Sequence, residues 1–364
     1  MKTKDNNVST QRTEVCRTEV STRLASEADA TAWDKFVDFS PKATVFHRWA
    51  WRAIVEKIHG HKAYFLIAQK GLEIVGILPL AHNKTLLFGN TLVSLPFCPY
   101  GGPIALNSDI ETALNEEALA LSKRIGADHL EIRLLKLIES PLIANQSIPT
   151  QEIYVTFRKQ LLPDHEENML QIPRKQRAMI RKGIKNGLTS TIENVEAFYP
   201  LYCDNIHRHG TPGSPKSFFL AIEKAFGLDC EVLIVRDTAG QALSGVLSLF
   251  YKNEVLPFYA GDIHAARDVA ANDFKYAEVM RRAIARGASV FDFGRSKKGT
   301  GPYNFKCYWG FEPTPLRYEH HGLIGAIPEH NPLNPKFQML IATWRRLPRS
   351  LVNWLGPKVV KGLG

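Results

Sequence analysis

The chain has 364 residues, of which 45% are hydrophobic and 10% aromatic, a globular composition with enough length for two domains of ordinary size. Its formal net charge of +10 favours anionic partners such as phosphates, nucleic acid or anionic lipid headgroups. No apolar run approaches the roughly 20 residues of a membrane span. The five scattered cysteines contain no C-x-x-C pair, which argues against a disulfide framework and a cysteine zinc site and places the chain in a reducing cytoplasm.

Met1 to Arg23 is polar, carries no signal-like apolar segment, and is expected to be disordered. A first lobe over residues 24–160 then reads as a helix from Ala28 to Phe39 and a Trp-rich helix from His47 to Ile58. A hairpin follows, Ala63 to Ala68 and Glu73 to Leu80, turning at Lys70-Gly71. A strand near Thr91 to Leu95 leads into Pro99-Tyr-Gly-Gly-Pro103, then come a helix from Asp109 to Ile125 and a strand from His129 to Leu135. A second lobe over residues 161–327 repeats that order. Helices at Ala197–His209 and Ser217–Phe226 precede strands at Glu231–Arg236, Ala242–Phe250 and Glu254–Ala260. A helix from Asn272 to Arg286 then delivers the chain to Val290–Phe293. Gly76 and Gly245 fall at matching places, so a duplication is expected: two mixed α/β lobes, each a mainly antiparallel sheet covered by helices.

Between the lobes, Pro173 marks a helix start and Asn186-Gly187 an end, which predicts one helix over Arg174 to Lys185. Arg174, Arg177, Arg181 and Lys185 fall within roughly 80° on its wheel, with Lys175 and Lys182 beside them. Ile180 and Ile184 form an adjoining apolar strip. Six cations without an acidic residue in the helix point to an anion.

The last strand of the second lobe opens into Gly294-Arg-Ser-Lys-Lys-Gly-Thr-Gly301, where glycines and cations suit a phosphate or a developing oxyanion. It is not a nucleotide P-loop, because Thr300 stands where that motif requires lysine. Lys306, just beyond, is expected to hold an acyl donor or to stabilise negative charge. Asp292 is positioned to accept a proton from an amine. Arg295 and Tyr303 suit phosphate or carbonyl oxygens, while Asn272 and Asp273 either cap their helix or border the site. His47, Trp49 and the Tyr100-Gly-Gly102 turn are candidates for an acceptor pocket. No spacing of His, Asp or Glu suggests a metal, and adjacent His320 and His321 on one strand point to opposite faces.

The repeated order resembles a tandem pair of the GNAT acetyltransferase fold. With Asn272-Asp-Phe, Phe291-Asp-Phe-Gly-Arg-Ser296 and Phe305-Lys-Cys-Tyr-Trp-Gly-Phe311, the stretch from Trp33 to Tyr318 resembles the FemAB family. Members of that family transfer aminoacyl or acyl groups to amines on cell-envelope precursors. The Tyr100-Gly-Gly102 turn, the Arg174–Gly183 stretch and Asn331-Pro-Leu-Asn-Pro335 are similar to the FemAB-type proteins of exosortase/PEP-CTERM and exopolysaccharide loci. The resemblance implies an N-acyltransferase without a prosthetic group, a basic helix beside a phosphate-bearing or lipid-linked acceptor, and no metal. Gly261 to Ala271 lacks the Arg/Gln-x-x-Gly-x-Gly/Ala turn that cradles coenzyme A pyrophosphate, which does not support acetyl-CoA and leaves open aminoacyl-tRNA, an acyl-CoA or another acyl carrier as donor, with an acetyl-CoA-dependent N-acetyltransferase as an alternative within enzymes. A rival reading is a duplicated module without catalysis that binds nucleic acid or a phosphate-bearing carrier through the basic helix. The tail, residues 328–364, mixes Trp344 and Trp354 with basic residues, which suits either weak contact with the inner membrane face or packing on the lobes.

Overall fold

The computed structural model describes residues 19–85, 89–135, 150–151, 153–322 and 335–363. In the first lobe, β1 (Val20–Leu24) precedes α1 (Ala30–Phe39) and α2 (Ala50–Ile54). Then come β2 (Lys62–Ala63), β3 (Leu66–Lys70), β4 (Glu73–Leu78), β5 (Ala81–Thr85), β6 (Gly89–Val93) and β7 (Ile104–Ala105). The lobe closes with α3 (Ser108–Arg124), β8 (His129–Leu134) and β9 (Thr150–Gln151). Residues 1–18 of the stretch expected to be disordered lie outside the described residues. Val20–Leu24, at its end, is an ordered antiparallel partner of β3, so that expectation is corrected there. The expected helix from His47 also starts later, because the Thr44 hydroxyl and the His47 ring close a 3-10 turn over Val45–His47. Its far end widens into a π turn over Val55–His59. Helix α3 shows why the rest of the lobe reads cleanly: the Asn107 side chain accepts from Ile110 N, and Ile110, Leu114, Ala118 and Leu121 bury one face.

The second lobe contains β10 (Tyr154–Gln160), α4 (His165–Gln171), α5 (Arg174–Lys185) and β11 (Thr189–Glu193). Next are α6 (Val195–His209), α7 (Lys216–Phe226), β12 (Cys230–Arg236), β13 (Ala242–Tyr251) and β14 (Glu254–Asp262). Helix α8 (Ala271–Ala285), β15 (Val290–Asp292), β16 (Ser296–Lys297), α9 (Gly301–Tyr308), β17 (Pro313–Pro315) and β18 (Arg317–His321) complete it. Helix α5 spans the residues expected of it, with Gly187 in the left-handed region at its end (φ 71°).

Two strands are exchanged between the lobes. β10, which follows the first lobe, pairs with β15, β16 and β17 in the sheet β11-β12-β13-β14-β15-β10-β16. β18, which ends the second lobe, inserts between β8 and β9 in the first-lobe sheet β2-β5-β6-β8-β18-β9. A cut in the sequence at residue 160 therefore leaves each sheet holding a strand from the other side of the cut. The remaining sheet, β1-β3-β4-β7, flanks α3.

After the second lobe, α10 (Pro335–Arg346) and α11 (Arg349–Val360) lie against α6. Gly356 sits about a Cβ away from the Gly213 backbone, His207 Nε2 meets Leu347 O at 3.1 Å, and Arg349 pairs with Asp204. The tail is thus packed on the lobes. Among the described residues, no helix is long and apolar enough to cross a membrane.

Candidate active site

The centre of the second sheet is split. β14 runs parallel to β15 only at Glu254↔Val290 and Val255↔Phe291, then continues to Asp262 without a strand on that side among the described residues. The sequence explains the break. Pro257 has no N–H to offer a ladder, and Phe258 is the extra residue of a bulge, since Ser248 faces Pro257 while Leu247 faces Tyr259. A bulge increases local twist, so β14 and β15 diverge. Phe258, Tyr259 and Ala260 remain half-buried although they lie in a central strand. This divergence leaves a slot beside β14, along which its backbone amides and carbonyls have no strand partner among the described residues.

Asp292 stands at the end of β15, 2% exposed. Its Oδ1 accepts from Gly294 N at 2.7 Å and Thr156 Oγ1 at 3.2 Å; its Oδ2 accepts from Arg158 Nη1 at 2.6 Å and from the Tyr100 hydroxyl. Four donors fill the roughly four lone-pair sites of a carboxylate. The general-base role expected for Asp292 does not suit this geometry, because no oxygen is left to face an amine. It acts instead as a junction: Tyr100 comes from the first lobe, while Thr156 and Arg158 come from the exchanged strand. Arg158 also pairs with Glu254, and these two acids raise its already high pKa despite burial.

Lys306, on α9, is also buried, at 9% exposure. Its Nζ donates to the carbonyls of Phe293 (2.7 Å), Gly294 (3.0 Å) and Arg295 (3.3 Å). Burial pushes its pKa down to about 7; Asp292 pulls it up and Arg295 presses it further down. The ammonium clamps the backbone of the glycine loop through these three carbonyls.

Arg295 is held between lobes. Its guanidinium lies 4.6 Å from the Tyr154 ring centroid and donates to the Tyr318 hydroxyl at 3.1 Å, which in turn donates to Pro99 O. Tyr303 rests edge-on against Phe157. Asn272 and Asp273 do not cap α8, whose N-cap is Ala270 at φ 59°. Asp273 accepts from Trp309 Nε1 at 2.9 Å, tying the helix to the Phe305–Phe311 motif, and burial raises its pKa. His47 is 3% exposed and has no free ring nitrogen: Thr44 N donates to Nδ1 at 3.0 Å and Nε2 donates to Gly102 O at 3.0 Å. Burial holds it neutral, with a pKa of about 4. It braces the Tyr100-Gly-Gly102 turn rather than lining a pocket. Trp49 packs edgewise on Trp33 and Phe65 under Arg52.

The structure does not bring the basic helix to this junction. Arg177, Arg181, Ile180 and Ile184 line a separate cavity with His165 and the Phe274/Ala277/Glu278 face of α8, whereas Asp273 and Tyr276 use another face for Trp309 and Phe293. Ile184 is 60% exposed, so the apolar strip is only partly packed. Arg174, Arg177, Arg181 and Lys185 have no acidic partner among the described residues.

The sequence reading missed Tyr154, Thr156, Arg158, Lys275 and Tyr318. A signal was present in β10, where Tyr154, Thr156 and Arg158 alternate with Val155 and Phe157, placing a polar stripe on one face. Lys275 is 1% exposed near Asp262 and Asp273, and burial lowers its pKa to about 8.

Residues 174–306 match the family model of an acetyltransferase (GNAT) domain. Comparison with curated protein sequences finds no match. Among solved structures, FemX is similar with a TM-score of 0.65 at 16% identity, covering 88% of this chain and 100% of that one. A tandem GNAT protein from the clavulanic acid biosynthesis pathway gives 0.54 at 12%, covering 85% and 100%. A C-terminal domain assigned to lysylphosphatidylglycerol synthetase from Agrobacterium fabrum gives 0.57 at 12%, covering 82% and 92%. The family match over residues 174–306 and the likeness to solved structures together show a protein of GNAT fold. Its two lobes share their fold, over most of the chain, with FemX and with the tandem GNAT protein.

Proposed function

We propose that the chain transfers an acyl or aminoacyl group from an activated carrier to an amine on a phosphate-bearing, lipid-linked envelope or exopolysaccharide precursor. The observation that carries this reading is the slot beside β14, which opens in a chain whose matched domain is an acyltransferase. An extended carrier arm pairs with the free side of β14 and holds its carbonyl against strand amides. The amine attacks the carbonyl carbon, a C–N bond forms, and the carrier leaves with the electron pair of the broken ester or thioester bond. The amine's proton ends on the departing oxygen or sulfur. Lys306 and Asp292 fix the loop and the lobe junction that border this path.

The unpaired cations of α5 support an anionic partner, either a precursor phosphate or the backbone of a tRNA donor. Exposed Met339, Leu340, Leu351 and Trp354, with Arg345, Arg346 and Lys358 on the same two helices, support contact with an anionic membrane. The neighbour assigned to lysylphosphatidylglycerol synthetase is named for a phosphate-bearing lipid product, which accords with a lipid-linked acceptor.

Untargeted metabolite comparison of cells with and without the gene tests the reading, with an Ala260→Trp chain that obstructs the slot as a third arm. An acylated amine should vanish in the deletion and in Ala260→Trp while the variant stays folded. Unchanged acylated amines, with RNA binding that weakens steeply with salt, would establish the binding module instead.

A further inference from the structure

We propose that His129 and Glu131 on β8 and His320 on β18 form a binding site for a divalent transition-metal ion, of which zinc is the simplest probe. The inference is independent of the acyltransferase reading. Adjacent His320 and His321 do not share an ion: His321 Nε2 meets Glu319 at 3.0 Å on one face of the sheet, and His320 faces the other.

The cluster arises from strand register. Residues two apart on β8 share a face, so His129 and Glu131 stand side by side. The exchanged strand then sets His320 directly opposite Glu131. One potential ligand atom from each of the three residues lies within 4.8 Å of the others, and the two imidazole centroids are 5.2 Å apart. Small rotations bring such atoms to the roughly 2.0–2.2 Å that zinc requires of nitrogen and carboxylate oxygen.

A second observation points to a ligand. His320 is 3% exposed, and among the described residues neither of its ring nitrogens has a hydrogen-bond partner; His129 is 5% exposed, and its Nδ1 also has none there. Buried imidazole nitrogens are ordinarily satisfied, so unpartnered ones turned towards a carboxylate need an explanation. A cation supplies it. Glu131 Oε1 accepts from Arg133 Nε at 2.7 Å, which fixes the carboxylate as outer-shell partners do and leaves Oε2 for the ion. The Glu131 side chain keeps 17% exposure, which gives the ion a route from solvent. Two imidazoles and one carboxylate leave a coordination position for water or a substrate oxygen.

The same sheet face continues to Arg133 and Tyr318, which are paired in register, and Tyr318 bonds Arg295 at the lobe junction. An ion here would anchor the exchanged strand to β8 at the end away from Arg295.

The test uses the full chain, stripped by chelator and titrated with Zn2+ alone against a chromogenic competitor, with Co2+ absorption as a second readout. Wild type should bind one ion per chain, melt at a higher temperature with Zn2+ than without, and show Co2+ bands of a nitrogen and oxygen site. His129→Gln and His320→Gln should each weaken Zn2+ by at least about 100-fold, above the usual loss for an outer-shell partner. Glu131→Gln, which keeps an acceptor for Arg133, serves if a histidine variant fails to fold. His59→Gln removes another buried histidine with unpartnered nitrogens and should leave binding unchanged. A wild-type chain that binds no Zn2+ at micromolar concentrations, or equal binding by wild type and the His129, Glu131 and His320 variants, overturns the proposal.

Discussion

Replacing Lys306 with methionine keeps an unbranched side chain only one heavy atom shorter and removes its charge, so the variant tests what that charge does in the folded protein. In the wild type, burial brings the lysine pKa to about 7, against 10.5 for the free side chain. Between those values the unfolded chain binds a proton that the folded chain does not, so stability rises with pH by about 1.4 kcal/mol per unit. Below pH 7 both states are protonated and the whole penalty is present; above 10.5 neither is, and it vanishes. Its full size is about 5 kcal/mol. The methionine variant lacks this dependence. Urea unfolding of both proteins at pH 7, 8 and 9 should show the wild type gaining about 2 kcal/mol on the variant across that range, the slope being halved at pH 7 where the folded lysine is half titrated. Taking the difference matters, because Lys275, held near 8, adds a slope of the same sign to both proteins. Opposing this are the three carbonyl acceptors of Lys306, which favour the ammonium and are lost in the variant. A variant destabilised by the same amount at every pH would mean that those bonds keep the lysine charged, and the reasoning from burial would fail.

Tyr100→Phe removes one of four donors to Asp292 and should cost about 1.5–3 kcal/mol in urea, the range for a hydrogen bond to a charged group, with an unchanged m-value. His47 is neutral when folded, with a pKa of about 4 against 6.5, so its contribution is intact above 6.5 and lost as pH falls towards 4. His47→Gln should therefore show a shallower acid limb by about 3 kcal/mol, read as the pH dependence of the difference from wild type. Gly261→Ala would place a Cβ 2.5 Å from Tyr202 N, a contact with helix backbone that cannot swing away. It should cost about 1–3 kcal/mol and lower the Tm, whereas alanine at exposed, open Gly301 should cost less than half as much.

The basic helix was legible to the residue because its limits are written in local chemistry, Pro173 before it and Gly187 after it. Element order was legible for the same reason, with hydrophobic period and turn glycines agreeing along both lobes. The duplication is real in order but looser in packing than the matched glycines suggest. Gly76 lies beneath α3 and Gly245 beneath α6, helices at non-equivalent places in the two lobes. Periodicity does not say which sheet a strand joins, so the exchange of β10 and β18 was not visible. Nor does spacing reveal that a carboxylate is saturated. Asp292 looked available as a base because its four donors are Gly294 nearby and Tyr100, Thr156 and Arg158 more than a hundred residues away.

That separation explains why the junction needs the exchange. Had β10 stayed in the first-lobe sheet, Thr156 and Arg158 would be absent from Asp292, and a buried carboxylate with one backbone donor and one tyrosine would be costly to ionise. Had β18 stayed in the second, Tyr318 would be lost from beside Pro99, and Arg295 would lose its bridge to the first lobe. The exchanged strands thus bring the donors that satisfy each lobe's buried charge. The slot beside β14 takes its border from this arrangement. Lys306 ties the loop after β15 at Phe293, Gly294 and Arg295, and the next side chains back along that strand and forward in that loop, Asp292 and Arg295, are held by residues from the other side of the exchange. The position of the loop relative to β14 is consequently set by both lobes together.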